Sequence, residues 1–289
     1  MFVQQLVNGL MLGGAYALVA IGYTLIFGVL NLLHLAHGDI FMVGAYVGLA
    51  LALAGFPPWA ALGGAMLAAA ALGVVVERVA FRPVRSRGSH VTPLMTTIAV
   101  GLVLQHVVVK IFCAEPVAFP APFAATALTL GPVTLSTLQL LILGTSVALM
   151  ALLELFLRST PTGMAIRATA ENPTVAGLMG INVSLAIVIT FAIASALAGA
   201  AGVLLAWNFT GLSPFFGVKV GLKGLAIMLL GGLGNVTGAM VGGLVIGVVE
   251  ALSVGYLESS YRDAFAFAVM ILILLVRPTG LLGARLQSG

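Results

Sequence analysis

The sequence predicts an all-α fold, a polytopic bundle of about eight to ten transmembrane helices. Hydrophobic residues make up 61% of the chain and charged residues only 7%, against roughly 25% charged in an average soluble domain. The apolar residues also form long runs separated by short polar intervals. A bilayer-spanning helix needs about 20 apolar residues, so we expect residues 1–289 to be a single transmembrane domain with no soluble domain attached.

Nine apolar segments are the predicted spans, each bounded by polar, proline or glycine residues. They cover about residues 6–30, 40–54, 59–80, 93–113, 135–157, 185–206, 221–233, 236–255 and 264–276. No Lys or Arg precedes the first segment, so we expect a retained span rather than a signal peptide. The segment 221–233 is short and interrupted by glycine, which leaves open that it does not cross the membrane fully.

Arginines cluster beside three of the spans and predict the orientation of the chain. They are Arg82, Arg85 and Arg87 after the third span, Arg158 and Arg167 after the fifth, and Arg277 and Arg285 after the last. Basic residues flanking spans face the cytoplasm by the positive-inside rule. The amino terminus and the proline-rich loop 114–132 are therefore predicted to lie outside. Lys219 and Lys223 would enter the membrane from the outer side, so they line a water-filled pathway or belong to an incomplete crossing.

The polar interval 159–183 predicts two short helices outside the bilayer. Thr160 can accept a backbone N–H as an N-cap while Pro161 takes the first helical position, where its missing donor costs nothing. This helix is expected to end near Glu171. Asn172 and Pro173 then repeat the same start signal.

The second of these helices predicts an exposed apolar face. Val175, Leu178 and Met179 fall on one side, and Gly180 supplies the left-handed residue that ends the helix. Thr169, in the first helix, is expected on the exposed side. An apolar face outside the membrane favours a partner protein, and the alternative is a solvated connector without a partner.

Ionisable residues within spans are the candidates for a transport pathway. These are Asp39, Lys223 and Glu250, with His34, His37 and His106 as weaker candidates. We assign Asn31, His37, Asp39 and Lys223 to the pathway, Asn31 as a polar residue that does not ionise. Asp39 has a second interpretation, as a carboxylate at a helix amino terminus that the helix dipole stabilises. Lys223 is either a contact for a zwitterion's carboxylate or a structural lysine. Glu250 is expected to extend to the outer interface near Tyr256.

Glycines recur every four residues near the end of the chain. Gly234, Gly238 and Gly242 form one row, and Gly243 with Gly247 continues it. Such rows let helix backbones approach closely, so we assign these five residues to helix packing. The five residues G-A-Y-V-G at 44–48 resemble G-A-M-V-G at 238–242, a weak indication of an internal repeat.

Several function classes lack the residues they need. The chain has no G-x-x-x-x-G-K-[ST] phosphate loop and no clustered nucleophile and base, so we expect neither ATP hydrolysis nor enzyme activity. Cys113 is the single cysteine, and the scattered histidines form no metal site, so no metal or cofactor is expected on this chain. The pI of about 9.6 reflects membrane orientation rather than nucleic-acid binding.

Four stretches together resemble one transporter family. They are N-G-L-M-L-G-G-A-Y-A-L-V-A-I-G-Y-T-L-I-F-G-V-L-N-L-L-H-L-A-H-G-D at 8–39, P-T-G-M-A-I-R-A-T-A-E-N at 161–172, L-L-G-G-L-G-N-V-T-G-A-M-V-G-G at 229–243 and R-P-T-G-L-L-G at 277–283. The chain resembles the permeases of branched-chain amino-acid ABC importers, in particular the shorter of their two permease types. The resemblance covers nearly the whole chain.

The resemblance implies an ABC importer permease in a bacterial-type cytoplasmic (inner) membrane. Its implied partners are a second permease subunit in a heterodimer, two cytoplasmic ATPase subunits on which ATP acts, and a periplasmic or other external substrate-binding protein. The implied substrates are branched-chain or related hydrophobic amino acids.

The resemblance also makes 159–183 the loop that couples to the ATPase. The implied coupling residues are Thr162, Gly163, Arg167, Glu171, Asn172, Val175, Leu178, Met179 and Gly180. The wider importer signature E-A-A-x-x-x-G is present only as Thr174, Val175, Ala176 and then Gly180. Its carboxylate is missing, and Glu171 lies three residues earlier.

Other functions stay open at this point. Close relatives of these permeases move urea or short amides, and nothing in the spans separates those substrates from leucine, isoleucine or valine. A self-contained secondary transporter or channel should carry paired carboxylates or an ion site inside the membrane. A membrane-embedded enzyme would need a catalytic cluster.

Overall fold

The computed structural model describes residues 2–85, 91–120, 127–130, 133–209, 211–257 and 259–283, and these form a helical bundle. The helices are α1 Phe2–Leu30, α2 His37–Leu53, α3 Pro58–Val76, α4 Arg82–Arg85, α5 Val91–Phe112, α6 Thr137–Ser159, α7 Pro161–Glu171, α8 Pro173–Leu178, α9 Val183–Asn208, α10 Phe216–Gly231, α11 Val236–Tyr256 and α12 Arg262–Val276. A π-helical turn, Glu77–Phe81, joins α3 to α4, and a 3₁₀ turn, Ser259–Tyr261, precedes α12.

Each of the nine predicted spans is a helix, but the helices differ in length. Six apolar helices of the described chain are long enough to cross a membrane: α1, α3 with its π turn, α5, α6, α9 and α11. The other three are α2, α10 and α12, with 17, 16 and 15 residues. A 16-residue helix is about 24 Å long, shorter than the ~30 Å hydrocarbon core.

The seventh span begins earlier than predicted. We expected residues 221–233, whereas α10 covers Phe216–Gly231. Lys219 and Lys223 therefore lie inside this short helix, in its first two turns.

A small hairpin departs from the all-α prediction. Strands β1 Ala127–Leu130 and β2 Val133–Ser136 pair antiparallel, with Ala127 opposite Ser136 and Leu130 opposite Val133. The hairpin extends from the predicted loop 114–132 into the segment before α6, where Ser136 and Gln139 form a capping box. Residues 121–126 and 131–132 of that loop lie outside the described residues.

Glycine contacts hold the long helices close together. A Cβ at Gly13 of α1 would lie 2.7 Å from the carbonyl oxygen of Gly243 in α11. A Cβ at Gly199 of α9 would lie equally close, 2.7 Å, to the carbonyl oxygen of Ala65 in α3. Real Cβ contacts are longer, so only glycine permits these helix crossings.

These crossings reveal an inverted repeat. The unit α1, α2, α3 and α5 corresponds to α9, α10, α11 and α12: α1 packs on α11 as α9 packs on α3. Both units have the same order: a long helix, a short connection, a short helix and a second short connection. The two connections are 31–36 and 54–57 in the first unit, and 209–215 and 232–235 in the second. The weak sequence resemblance does not follow this pattern, because G-A-Y-V-G at 44–48 lies in α2 and G-A-M-V-G at 238–242 lies in α11.

The two ends of the bundle differ in charge. Arg82, Arg158, Arg167 and Arg277 lie at the end that carries α7 and α8, which we call the α7 end. The amino terminus lies at the opposite end, where Gln4 exchanges hydrogen bonds with Thr134, together with the described part of loop 114–132. This relative placement agrees with the predicted topology, and the assignment of the α7 end to the cytoplasm stays a prediction. Arg87 and Arg285 lie outside the described residues.

Candidate functional site

Helix α7 starts as the sequence predicts and is anchored to the bundle. The side chain of Thr160 accepts a hydrogen bond from the Gly163 backbone N–H at 2.9 Å, and Pro161 occupies the first turn. A Cβ at Gly163 would lie 2.6 Å from Cα of Leu157, so α7 packs directly on the end of α6. Thr162 is half-buried.

The expected exposure of Thr169 is wrong. Its side chain is fully buried, and its hydroxyl donates to the carbonyl oxygen of Ala165 at 2.7 Å. Ile166 is buried beside it. The face of α7 that carries Gly163, Ile166 and Thr169 therefore faces the bundle, and Arg167 and Glu171 are exposed on other sides.

Helix α8 also begins and ends as predicted. The side-chain oxygen of Asn172 accepts the backbone N–H groups of Thr174 and Val175, both at 3.0 Å. Gly180 has φ +85°, and the Ile181 N–H donates to the Ala176 carbonyl at 3.1 Å, which closes the helix with a left-handed residue.

The exposed apolar side chains here are Val175 and Leu178 of α8 and Met179 directly after it, which we call the α8 surface. Their exposed fractions are 49%, 84% and 78%. Only Ala176 of this short helix is buried. Exposed apolar side chains grouped in this way are typical of surfaces that bind a partner.

A cleft of 480 Å³ separates α7 from the connection between α10 and α11. The ends of α1 and α6 also line it. Its charged residues are Glu154, Arg158 and Arg167, of which Arg158 forms an ion pair with Glu154 one turn earlier.

The carboxyl-terminal segment 277–283 closes the other side of the α10–α11 connection. The Leu281 N–H donates to the Leu230 carbonyl at 2.7 Å and the Leu282 N–H to the Gly231 carbonyl at 3.1 Å. The side chain of Asn235 donates to the Leu282 carbonyl at 2.7 Å. Two of the stretches that carry the family resemblance, 229–243 and 277–283, therefore form one unit at the α7 end.

A network of charged side chains joins α1, α10, α11 and α12, with Lys223 and Glu250 buried and Arg262 and Asp263 partly exposed. The ammonium of Lys223 donates to Oε2 of Glu250 at 2.9 Å, pairs with Asp263 at 2.7 Å and donates to the hydroxyl of Tyr16 at 3.5 Å. Arg262 pairs with the other oxygen of Glu250 at 3.2 Å. Two positive and two negative charges therefore meet, and the network is neutral.

This network corrects one prediction and bears on another. Glu250 is only 1% exposed, so it does not extend to the outer interface. The ammonium of Lys223 has three donor hydrogens and three acceptors around it, which agrees with the interpretation as a structural lysine that holds α10 to α11 and α12.

Asp39 occupies a second polar site, on the other face of α10. It lines a cavity of 290 Å³ between α2, α5 and α10. Its side chain accepts a hydrogen bond from the amide of Gln105 in α5 at 2.8 Å. Sequence reasoning missed Gln105, because nothing in the periodicity of α5 indicates which helix faces its polar residues.

The structure does not bring the remaining pathway candidates to this cavity. Asn31 is exposed just after α1, with φ +52°. His37 is fully buried, and its ring lies 4.7 Å from that of Tyr23. His34 is buried against Phe81, and His106 is exposed on α5.

Four of the five predicted packing glycines lie at helix contacts. Gly238 and Gly242 approach α10, at Gly231 and Ile227, and Gly243 and Gly247 approach α1, at Ala17 and Gly13. Gly234 differs, because it lies in the turn between α10 and α11 with φ +77°. This left-handed backbone conformation favours glycine at position 234. Within the described ranges, no three His, Cys, Asp or Glu side chains group as a metal site.

Comparison with known families decides the class. The family described as "Branched-chain amino acid transport system / permease component" matches residues 5–274. The chain belongs to this family. It is a multi-pass membrane transport permease.

Curated relatives match over almost their whole length. The permease protein LivH of the high-affinity branched-chain amino acid transport system is 39% identical in Salmonella typhimurium and in Escherichia coli K12, over 98% of this chain and 96% of the relative. The corresponding protein BraD of Pseudomonas aeruginosa is 37% identical over the same shares.

A solved structure shares the fold of this permease. A chain of PsaBC from Streptococcus pneumoniae in complex with Fab superposes with a TM-score of 0.51, over 96% of this chain and 93% of that chain, at 13% sequence identity. At this identity the likeness concerns the fold alone.

Proposed function

We propose that this permease is the transmembrane subunit of an ATP-driven importer for branched-chain amino acids. It works with a second permease subunit, two cytoplasmic ATPase subunits and an external substrate-binding protein in a bacterial-type cytoplasmic membrane. ATP acts on the partner subunits, and this chain supplies the translocation pathway. The names of its relatives LivH and BraD support the substrate class.

The exposure of the α8 surface is the observation that supports coupling to an ATPase. Leu178 and Met179 are about four-fifths exposed, at the end of the bundle where the arginines cluster. A solvated connector would leave this apolar surface in water, whereas a hydrophobic groove on an ATPase subunit would bury it. Arg167 and Glu171 are exposed nearby and suit the polar rim of such an interface.

The packing of α7 provides a route from the α8 surface to the membrane helices. Gly163 lies against the backbone of Leu157 in α6, and Ile166 and Ala170 line the cleft beside α1. A displacement of α8 by an ATPase would therefore be transmitted to α6 and α1 through contacts that have little room to deform.

Reconstitution tests this function. The permease is inserted into liposomes with its partner subunits and binding protein, and ATP-dependent uptake of labelled leucine is measured. We expect uptake by the complete assembly, and neither uptake nor ATP hydrolysis by this chain alone.

Two results would replace the proposal. Leucine uptake by this chain alone under a proton or sodium gradient would identify a secondary transporter. ATP-dependent uptake of urea or acetamide in place of leucine would identify a permease for short amides.

A further inference from the structure

Asp39 brings a carboxylate into the bundle without a positively charged partner. The residue is 6% exposed, and Gln105 is its hydrogen-bond donor. None of the ion pairs of the described chain includes it. Glu250, by contrast, is balanced by Lys223 and Arg262. The charge of Asp39 therefore has no counterpart in this part of the protein.

The amino terminus of α2 accounts for only part of the environment of Asp39. The residue lies in the first turn of the helix, after the N-cap residue Ala36, where the helix dipole stabilises a carboxylate. The dipole supplies no hydrogen-bond donor to the side chain, which turns to α5, where a Cβ at Gly101 would collide with it. Asp39 is thus directed at the space between α2, α5 and α10.

Asp39 also lies deep within the bundle. The ring of His37 packs at Gly22 of α1, and Gly22 is about 12 Å along the helix from the end of α1 at Leu30. The connection 31–36 therefore folds back, and α2 begins inside the bundle. Gly38 meets Gly217 of α10 there, where a Cβ on either glycine would lie 2.5 Å from the other's carbonyl oxygen. An unpaired charge at this depth lowers stability, so an ionisable residue that lies there is a candidate for a functional site.

The cavity beside Asp39 has aliphatic walls. They come from Leu35, Ile98, Leu102, Val218, Leu222 and Leu225. Its volume of 290 Å³ lies just below the ~300–1,000 Å³ of pockets that enclose drug-sized ligands. Leu102 and Leu222 at its rim are half-exposed, so the cavity is open on one side.

We propose that this cavity is a substrate subsite in which Asp39 binds the ammonium group of an aliphatic amine, here the transported amino acid. The ammonium neutralises the carboxylate and donates hydrogen bonds to it, and the aliphatic side chain packs against the leucines and Ile98. Gln105 positions the carboxylate. The assignment to an amino acid rests on the proposed function, because urea and amides are neutral and have no charge for Asp39 to balance.

A binding experiment tests the subsite without transport. The purified complete transporter is heated with 3-methylbutylamine or with its neutral isostere 3-methylbutan-1-ol, and the unfolding midpoint is recorded. A ligand that binds the folded state raises this midpoint. We expect the amine to raise it for the wild type and Asp39→Glu and not for Asp39→Asn, and the alcohol to have no effect. The same shift in Asp39→Asn, or no shift in the wild type, overturns the proposal.

Transport separates this inference from the proposed function. In the reconstituted assembly, Asp39→Asn should lower leucine uptake at least about tenfold, because removing one partner of a buried charge pair weakens binding strongly. Asp39→Glu should retain part of the uptake, and Glu115→Gln, an exposed carboxylate after α5, should retain all of it.

The two proposals fail in different ways. If the wild-type assembly takes up no leucine, the proposed function is wrong, and the amine experiment still judges the cavity. If the wild type and Asp39→Asn take up leucine equally, the function stands and the subsite is wrong. If Asp39→Asn does not assemble, the wild type and Asp39→Glu decide. The proposal stands if the amine raises their unfolding midpoints and the alcohol does not, and it is wrong otherwise.

Discussion

Lys223 of α10 and Glu250 of α11 form a buried ion pair, with 2.9 Å between Nζ and Oε2. Their side chains are 6% and 1% exposed. Asp263 and Arg262 of α12 join the same network. The pair therefore fixes the short helix α10, whose length alone would not hold it across a membrane.

Breaking this pair on one side should destabilise the protein. Glu250→Gln leaves Lys223 with Asp263, and Lys223→Met leaves Glu250 with Arg262, so each should cost less than the ~3–5 kcal/mol of a buried charge left with no partner. The double variant should lose less than the sum of the two, by at least about 1 kcal/mol, because residues in contact couple. Thermal unfolding in detergent gives the stability of the wild type, the two single variants and the double variant. Glu154→Gln, which removes a surface ion pair, is the control and should cost little stability. Strict additivity would show that the pair is not coupled.

Changes at the α8 surface should release the ATPase and spare membrane insertion. Gly180→Val places a branched Cβ at φ +85°, which costs about 1–2 kcal/mol, and Leu178→Asp puts a charge into an apolar contact. We expect both to lower co-purification of the ATPase and leucine uptake, whereas Leu178→Met should retain both. Full ATPase binding by the first two variants would exclude this loop as the coupling element.

The crossing of α2 and α10 should not tolerate a side chain. A Cβ at Gly38 or Gly217 would lie 2.5 Å from the carbonyl oxygen of the other residue, so Gly38→Ala and Gly217→Ala should each cost about 1–3 kcal/mol by overpacking. Gly63 of α3 has open space around its Cβ position, and Gly63→Ala is the matched control. Equal thermal stability of all three variants would contradict the packing.

The orientation can be read by cysteine labelling. In a Cys113→Ala background, Glu115→Cys should react with a membrane-impermeant maleimide added outside intact cells, and Glu171→Cys should react only after the membrane is opened. Both residues are exposed in the structure, so access depends on the side of the membrane. The reverse pattern would invert the predicted topology.

The helix caps were predictable because they are local. Thr160 and Asn172 bond to groups two or three residues away, so the residues that make the cap adjoin each other in the sequence. Gly180 is likewise set by its own backbone conformation. The apolar helices were predictable because the bilayer core contains no water that could hydrogen-bond the backbone. Each apolar run must therefore satisfy its backbone hydrogen bonds within its own helix.

The burial of Thr169 and the early start of α10 were not predictable in this way. Thr169 has the polarity of a surface residue, and it is buried because the face of α7 that carries Gly163 packs on α6. The first turn of α10 packs at Gly217 against Gly38, more than 170 residues earlier in the chain, a contact that local sequence does not reveal.

By itself, the sequence determined the membrane class, the position of nine apolar helices, the caps of the two short helices α7 and α8 and the family resemblance. Only the tertiary structure decided which charges meet. Lys223 and Glu250 are 27 residues apart and Asp39 and Gln105 are 66 residues apart, and periodicity cannot say which helices become neighbours. That choice depends on the glycine crossings of the whole bundle, because side-chain volume at each crossing determines how closely two backbones approach.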